Sequence, residues 1–191
     1  MELLQKLPKS GLVEIYLCKE NTSLFVKSGL NVMTAFFMSN YKPSREYYEN
    51  LEYYKKMHVE GYKLSNGKTR TSEKAYNGKS TLIFAKLIKE IITKNKILNM
   101  LDYGCGKGFF YKNPIDQQDL QIQSLKKYWN IDIDLYDPCF EENANLDENK
   151  NYDLVICVDV LEHIPTNDIE WVLEKLLNKA KKYLFINVAC H

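Results

Sequence analysis

Short apolar runs alternate with amphipathic stretches along most of the chain beyond residue 78. The apolar runs predict buried strands, at residues 97–103, 131–136, 152–160 and 183–189. The stretches of mixed polarity predict helices, at residues 80–95, 120–129 and 166–182. Nearly continuous apolar strands that alternate with helices are typical of a parallel sheet covered on both faces. The pattern therefore predicts an α/β fold.

Two of the predicted helices have identifiable faces or ends. Apolar side chains recur at helical spacing in the first one and define its expected buried face, made of Leu82, Ile83, Leu87, Ile91 and Ile92. In the last helix, Thr166 or Asn167 is expected to be the N-cap.

The beginning of the chain follows a different pattern, polar and rich in tyrosine. Residues 44–60 predict a helix that begins after Ser44 and ends at Gly61. Residues 12–18 and 31–38 have strand-like content.

A turn-rich stretch at residues 63–80 separates this part of the chain from the rest. We therefore predict an N-terminal extension over residues 1–75, partly helical, that acts as a lid or completes the sheet. Residues 76–191 are expected to form the α/β domain.

Charge and cysteine content narrow the functional classes. The chain has 26 basic and 25 acidic residues, so no large positive excess favours nucleic acid or an anionic membrane. The five cysteines are scattered, without the close pairs typical of zinc sites or disulfide frameworks. No apolar run is long enough to span a bilayer, and no signal peptide is evident. We expect a cytoplasmic protein whose partner is neither a membrane nor nucleic acid.

Three of the eight glycines fall at alternate positions directly after a predicted strand, in a D-x-G-x-G-x-G pattern that runs from Asp102 to Gly108. Such glycines allow a sharp turn with positive φ and let a ligand approach backbone without a Cβ. A tight turn with no ligand would look similar. The dinucleotide fingerprint G-x-G-x-x-G does not fit, and Pro114 leaves no room for a long helix directed at a diphosphate. The pattern favours a ligand without phosphates, such as S-adenosylmethionine.

Polar residues also follow two other predicted strands. Asp137 ends the strand at 131–136, and the cluster Asp159–His163 follows the apolar run of the strand at 152–160. Ligands of parallel α/β sheets bind beyond the carboxyl ends of the strands. These residues are therefore expected to share one site with the glycines.

The segments LDYGCGKG, YDP and YDLVICVDVLEHIP occur in this order and together resemble the class I S-adenosylmethionine-dependent methyltransferases. The closest resemblance is to a compact bacterial and phage branch of these domains. It covers residues from about 76 to the end of the chain. It implies a Rossmann-like three-layer domain with a mostly parallel sheet, abbreviated at its C-terminal end.

The resemblance also implies roles for individual residues of the glycine segment. Gly104, Gly106 and Gly108, with Cys105 between them, would line the methionine and ribose parts of the cofactor. Asp102 would lie near the amino end, directly or by orienting the loop.

Further cofactor contacts are implied by the segments on either side. Asp137 would accept hydrogen bonds from both ribose hydroxyls, because a carboxylate offers two acceptor oxygens. A turn cap before Pro138 is the alternative role of Asp137. Tyr76 and Lys79 would cover the cofactor, although the same segment would also suit an ordinary helix start.

The connection at residues 137–152 is too short for a helix, a strand and a return. The third strand usual in such sheets is therefore expected to be absent. The usual adenine-contacting acid has no equivalent, and residues 143–146 are the expected neighbourhood of the adenine.

The DVLEH cluster has three interpretations. His163 could be the general base, with Asp159 and Glu162 beside it, because its ordinary pKa lies near neutrality. Asp159 would also contact the cofactor. Alternatively, the turn is structural. A third interpretation is a divalent-metal site, as in the similar E-x-x-E-H segments of ubiquinone-pathway and small-RNA-end O-methyltransferases, but no fourth ligand is evident.

The apolar segment at 183–189 would be left at a sheet edge, where it invites pairing. A full class I sheet normally continues with two more strands. We expect a fragment or an abbreviated protein truncated after its fifth strand. Replacement strands from residues 12–38, or a second copy of the chain in a homodimer, are the alternatives.

The functional expectation is transfer of a methyl group from S-adenosylmethionine to an oxygen or nitrogen of a small molecule or sugar, by in-line displacement. An abbreviated module that binds the cofactor without methyl transfer is the alternative. A nicotinamide oxidoreductase is disfavoured by the glycine spacing.

Overall fold

The computed structural model describes residues 41–117 and 120–188, together with the backbone of residues 14–18 and 23–27. The strands are β1 (Glu14–Cys18), β2 (Ser23–Lys27), β3 (Tyr62–Lys63), β4 (Thr69–Arg70), β5 (Asn99–Tyr103), β6 (Ile115–Gln117), β7 (Leu120–Ile122), β8 (Asp132–Tyr136), β9 (Tyr152–Val158) and β10 (Ala180–Asn187). The α-helices are α1 (Arg45–Glu60), α2 (Lys79–Ile83), α3 (Ala85–Asn95), α4 (Phe109–Lys112), α5 (Leu125–Trp129) and α6 (Ile169–Lys179). Short 3₁₀ turns occupy Ser72–Lys74, Glu141–Asn143, Leu161–His163 and Thr166–Asp168.

The main sheet has the strand order β1-β2-β10-β9-β5-β8. Four adjacent strands of this sheet run parallel to one another, namely β10, β9, β5 and β8. They coincide with the four strands predicted from apolar runs, although β10 begins earlier, at Ala180. The prediction of an α/β, Rossmann-like fold with a mostly parallel sheet is confirmed.

An antiparallel hairpin of β1 and β2 covers the other edge of this parallel set. Residues 23–27 of β2 pair with Tyr183–Asn187 of β10, and β1 pairs with the far side of β2. The predicted strand at 12–18 is therefore present as β1, whereas β2 was not predicted. The predicted strand at 31–38 lies outside the described residues.

Helices cover both faces of the sheet. Neighbouring residues of a strand point to opposite faces, so each face packs against its own set of helices. Met100 of β5 packs with the side chains of α3 and α5, among them the buried Trp129. Leu101, the next residue, packs with α6 and the start of α1, where Leu176 and Tyr47 are buried. This alternation gives the three-layer arrangement.

The helix predicted at 80–95 is interrupted at Phe84, which separates α2 from α3. The break changes the helical phase, so part of the predicted buried face is wrong. Ile83 is 72% exposed and Leu87 is 41% exposed. Ile88 and Ile92 instead point into the core, at 0% and 4% exposure.

Two further helix predictions need correction. The stretch 120–129 begins as strand β7, which pairs with β6 in a hairpin, and only its second half forms helix α5. The helix predicted at 166–182 begins as a 3₁₀ turn, and neither Thr166 nor Asn167 caps α6, which starts after Asp168. Its last predicted residues belong to β10.

The segment between β8 and β9 contains a single 3₁₀ turn, Glu141–Asn143, and no strand. The expected absence of a third strand is thus confirmed for this fully described segment. Among the described residues, no helix is both long and apolar enough to cross a membrane.

Helix α1 has the predicted bounds and caps. The Ser44 hydroxyl oxygen accepts a hydrogen bond from the Tyr47 N–H at 3.1 Å, and the helix ends at Gly61 with a φ of 74°. A side chain at Gly61 would overlap the backbone of Arg70, so this glycine also permits the close return of the chain.

The buried Asp168 carboxylate fixes the start of α1 to the start of α6. It accepts hydrogen bonds from the Ser44 N–H at 2.8 Å, the Ser44 hydroxyl at 2.6 Å and the Tyr41 hydroxyl at 2.9 Å. Burial opposes ionisation, but the hydrogen bonds from Ser44 and Tyr41 lower the pKa of Asp168 below its ordinary value. The stabilisation is therefore present at neutral pH and is lost when the carboxylate is protonated in acid.

We expect Asp168→Ala to lower the free energy of unfolding by about 3 kcal/mol, because three donors lose a charged acceptor. Urea unfolding at pH 7 measures this change. Glu170→Ala, at an exposed position of the same helix start, is the control and should change stability by less than about 0.5 kcal/mol. Equal effects of the two substitutions would show that Asp168 does not anchor α1.

Candidate functional site

A cleft of about 290 Å³ lies at the carboxyl ends of β5, β8 and β9. Helix α1 and residues 62–81 form the wall opposite the strand ends. The predicted glycine, Asp137 and DVLEH segments all contribute to it. Of the predicted site residues, only Asp102, Gly108 and Glu162 do not line this cleft.

The three glycines of the loop after β5 all have positive φ, between 58° and 87°. A side chain at Gly104 would overlap Val160, and one at Gly106 would overlap the carbonyl oxygen of Tyr76. A Cβ at Gly108 would lie 2.6 Å from a methyl carbon of Leu135. The glycines are therefore required because neighbouring protein atoms lie close to the loop, whether or not a ligand also approaches it.

Asp137, at the end of β8, holds two loops together. Its Oδ2 accepts a hydrogen bond from the Gly106 N–H at 2.8 Å, and its Oδ1 accepts one from the Cys139 N–H at 2.8 Å. Burial raises the pKa of Asp137, and these two hydrogen bonds oppose the increase. Because each carboxylate oxygen can accept more than one hydrogen bond, both retain capacity for a ligand in the cleft.

Asp102 lies beneath the glycine loop instead of in the cleft. It is 1% exposed, and its Oδ2 accepts a hydrogen bond from the Tyr111 hydroxyl at 2.5 Å. Burial raises its pKa to about 7, the Tyr111 hydrogen bond opposes this, and the nearby Asp137 adds to it. Asp102 was expected either to contact the amino end of the cofactor directly or to orient the glycine loop. Its buried position is compatible only with the second of these roles.

Residues 143–146, the expected adenine neighbourhood, do not line the cleft. The Asn143 side chain donates a hydrogen bond to the Gly106 carbonyl oxygen at 2.8 Å and so supports the loop from behind. Together with Asn145 and Leu146 it lines a separate cavity of about 380 Å³. These positions therefore do not support the expected contact of residues 143–146 with an adenine in the cleft, which stays a prediction.

Tyr76 and Lys79 lie at the cleft as predicted from the segment before α2. The Tyr76 carbonyl oxygen accepts a hydrogen bond from the Lys107 N–H at 2.7 Å. Tyr76 has a φ of 49°, which is unusual for a residue with a side chain and tends to occur at functional sites.

Four rings form a continuous stack in the order Tyr62, Tyr76, His58 and Phe140, and the first three of them line the cleft. The successive ring centroids are 5.5, 4.8 and 5.5 Å apart, and the interplanar angles are 26°, 30° and 26°. The stack joins β3, the Tyr76 segment, α1 and the loop after β8. Sequence analysis missed His58 and Tyr62, because no spacing signal distinguishes them from the other aromatic residues of this region.

The Lys107 ammonium group connects the glycine loop to the end of α1. It donates hydrogen bonds to the carbonyl oxygens of His58 at 2.9 Å and Ser72 at 2.5 Å. A cation at the C-terminal end of a helix also interacts favourably with the helix dipole. Burial lowers the pKa of Lys107.

The DVLEH cluster forms a tight turn at the end of β9. Asp159 has a φ of 54° and donates its N–H to the Asn187 carbonyl oxygen at 3.1 Å. Asp159 and His163 line the cleft, and the exposed His163 ring lies 5.2 Å from the Tyr54 ring of α1. No group of three His, Cys, Asp or Glu side chains in the described part of the chain could hold a metal ion.

A family model described as a methyltransferase domain matches residues 61–189. The chain belongs to the methyltransferase domain family. The match starts at the residue that ends α1, so this methyltransferase domain includes the β3–β4 hairpin and all strand ends of the cleft, whereas α1 lies outside it. No curated protein and no solved structure matches the chain.

In this methyltransferase domain, we expect Gly106→Ala to be far more damaging than Gly67→Ala. Both glycines have positive φ, but a side chain at Gly67 meets no atom within 4 Å. Gly67→Ala should cost only the backbone strain, about 1 kcal/mol. Gly106→Ala should lower the free energy of unfolding by at least about 2 kcal/mol more, because the Tyr76 segment must move. Urea unfolding of both variants measures the difference, and equal losses would contradict the close approach.

The buried Asp102 should make the domain less stable as the pH rises. Between the ordinary pKa of 3.8 and the folded-state pKa of about 7, the folded state holds a proton that the unfolded state lacks. The wild type should lose on the order of 2 kcal/mol between pH 5 and pH 8 relative to Asp102→Asn. Urea unfolding at the two pH values measures this.

His58 contributes an opposite dependence of stability on pH, since burial and Lys107 lower its pKa to about 4. This contribution is the same in both proteins and cancels in the comparison. Parallel pH profiles of the two proteins would contradict a neutral Asp102 carboxyl at pH 5.

Proposed function

We propose that the protein is an S-adenosylmethionine-dependent methyltransferase that methylates an oxygen or nitrogen atom of a small molecule or sugar. The observation that carries the proposal is the shared position of the glycine loop and the Asp137 carboxylate in one cleft of a methyltransferase domain. Members of this family generally use S-adenosylmethionine as the methyl donor.

The residues of the cleft fit the chemical groups of this donor. The Asp137 oxygens suit the two ribose hydroxyls, since a carboxylate can accept from both. Val158 and Val160 provide an apolar wall near the strand ends. Arg70 and Lys79 also line the cleft and suit the carboxylate of the amino-acid end.

The glycine loop lacks a structure suited to a diphosphate. Helix α4, which follows the loop, spans only Phe109–Lys112 and cannot direct a long helix dipole at phosphates. This favours a donor without phosphates over a nicotinamide dinucleotide.

When bound, the donor supplies a methyl group on a sulfonium, which is already a good leaving group. The main tasks of the chain are then to align the acceptor and to exclude water. Helix α1 covers the strand ends and performs the second task. His163, at the rim beside Asp159, is the proposed base that removes a proton from the acceptor hydroxyl or amine.

Isothermal calorimetry with S-adenosylmethionine, S-adenosylhomocysteine and NADH tests the proposal. The first two compounds should bind and NADH should not. Failure of both sulfur compounds to bind the folded wild type would overturn the assignment. Measurable formation of S-adenosylhomocysteine with small hydroxyl or amine acceptors would distinguish transfer from binding alone.

Asp137→Asn should weaken S-adenosylhomocysteine binding by about ten- to a hundredfold, because a charged acceptor of two hydroxyls is lost. Asp132→Asn, at the exposed opposite end of the same strand, is the matched control and should bind within about twofold of the wild type. Thermal unfolding of both variants separates lost binding from loop disruption. Equal affinities for the two variants would remove Asp137 from the proposed site.

A further inference from the structure

Three cations line the covering wall of the cleft. They are Arg70 at the end of β4, Lys74 at the end of the next 3₁₀ turn, and Lys79 at the start of α2. The two carboxylates that line the cleft, Asp137 and Asp159, follow strand ends on the opposite side. Within the described part of the chain, none of the three cations forms an ion pair with a carboxylate. This wall therefore carries positive charge that no protein group neutralises there.

The β3–β4 hairpin directs Arg70 towards the cleft. Arg70 is paired with Tyr62 across the hairpin, and directly opposite residues of an antiparallel pair place their side chains on the same face. Tyr62 lines the cleft, and its ring stacks on Tyr76. The other pair of the hairpin, Lys63 and Thr69, points to the opposite face and is exposed. The Arg70 side chain therefore extends from the cleft side of the hairpin.

Arg70 is partly buried without an anion beside it. The residue is half-buried, whereas Lys74 and Lys79 are exposed. No hydrogen bond or ion pair joins its guanidinium group to any residue that the structure describes. Burial of an arginine side chain in proteins is usually accompanied by pairing with an anion. A carboxylate or phosphate group of a ligand would supply that partner, because its oxygens match the planar fork of N–H donors.

The methyl donor accounts for one of the three cations. Lys79 follows Gly78, where an added Cβ would lie 3.3 Å from the Cys105 carbonyl oxygen of the glycine loop. Lys79 thus begins beside the loop that we propose for the amino-acid end of the donor, and it suits the single carboxylate of that end. Arg70 and Lys74 come from the hairpin and from the turn after it. One donor carboxylate leaves their charge available to a second anion.

We propose that the methyl acceptor carries an anionic group, a carboxylate or a phosphate, which binds to Arg70 in the cleft. The inference rests on the proposed function, because it takes the second ligand of the cleft to be a methyl acceptor. It narrows the acceptor from any small hydroxyl or amine compound to an acidic one. Arg70 is then the residue that selects the acceptor, and Lys74 adds a second positive charge on the same wall.

Calorimetry on the full chain saturated with S-adenosylhomocysteine tests this assignment without turnover. The probes are benzoate, phenyl phosphate and the neutral benzamide, all at the same ionic strength. Their rings suit the tyrosine-lined cleft. The wild type should bind at least one of the two anions about tenfold more tightly than benzamide, the value of a charge-assisted hydrogen bond. Whether benzoate or phenyl phosphate binds more tightly then identifies the group as a carboxylate or a phosphate.

Two variants of the hairpin make the result specific. Arg70→Gln removes the charge and should lose most of the preference for the anion. It should still bind S-adenosylhomocysteine within about twofold of the wild type, because the donor carboxylate is assigned to Lys79. Lys63→Gln removes a cation from the opposite face of the same hairpin, so it is the matched control and should keep the wild-type preference. Circular dichroism and thermal unfolding establish that each variant is folded.

The outcomes distinguish this inference from the proposed function. If the wild type does not bind S-adenosylhomocysteine, the donor assignment fails and the acceptor inference fails with it. If S-adenosylhomocysteine binds but neither anion binds more tightly than benzamide, the acceptor inference alone is overturned. The same conclusion follows if Arg70→Gln keeps the full preference, or if Lys63→Gln loses it equally. Weakened S-adenosylhomocysteine binding by folded Arg70→Gln would assign Arg70 to the donor carboxylate and would also overturn the inference.

Discussion

The cleft depends on the close approach of the Tyr76 carbonyl to the glycine loop. A side chain at Gly106 would occupy the space of that oxygen, and the Lys107 N–H donates to it. The Lys107 ammonium group then holds the end of α1 through the His58 carbonyl. One short loop thus positions the strand ends, the segment before α2 and the covering helix. The positive φ of Tyr76 is maintained by these contacts.

Two buried carboxylates support the loop in different ways. Asp137 faces the cleft and accepts two backbone hydrogen bonds, which favour its charged form despite burial. Asp102 lies below and accepts a hydrogen bond from the Tyr111 hydroxyl, and burial raises its pKa to about 7. The carboxylate that accepts two backbone hydrogen bonds thus faces the cleft, and the carboxyl whose pKa burial raises to about 7 lies in the core. This arrangement avoids two adjacent negative charges in a low-dielectric region.

Much of the site was predictable because the carboxyl ends of parallel strands meet at one edge of a sheet. Residues separated by more than fifty positions, such as Gly104 and Asp159, therefore line the same cleft. His58 and Tyr62 could not be found in this way. Their positions at the cleft depend on how a helix and a hairpin outside the main sheet pack over it. Phe140, which completes the ring stack, is far away in the sequence.

The sequence by itself determined the four parallel strands, the bounds of α1 and the need for glycine after β5, because these follow from local periodicity, capping and backbone freedom. Only the tertiary structure decided the rest. It broke the helix at Phe84, so Ile83 and Leu87 are exposed and Ile88 is buried instead. It paired β2 with β10, turned Asn143 towards the loop and stacked His58 at the cleft. These outcomes depend on contacts between distant segments, which local pattern does not encode.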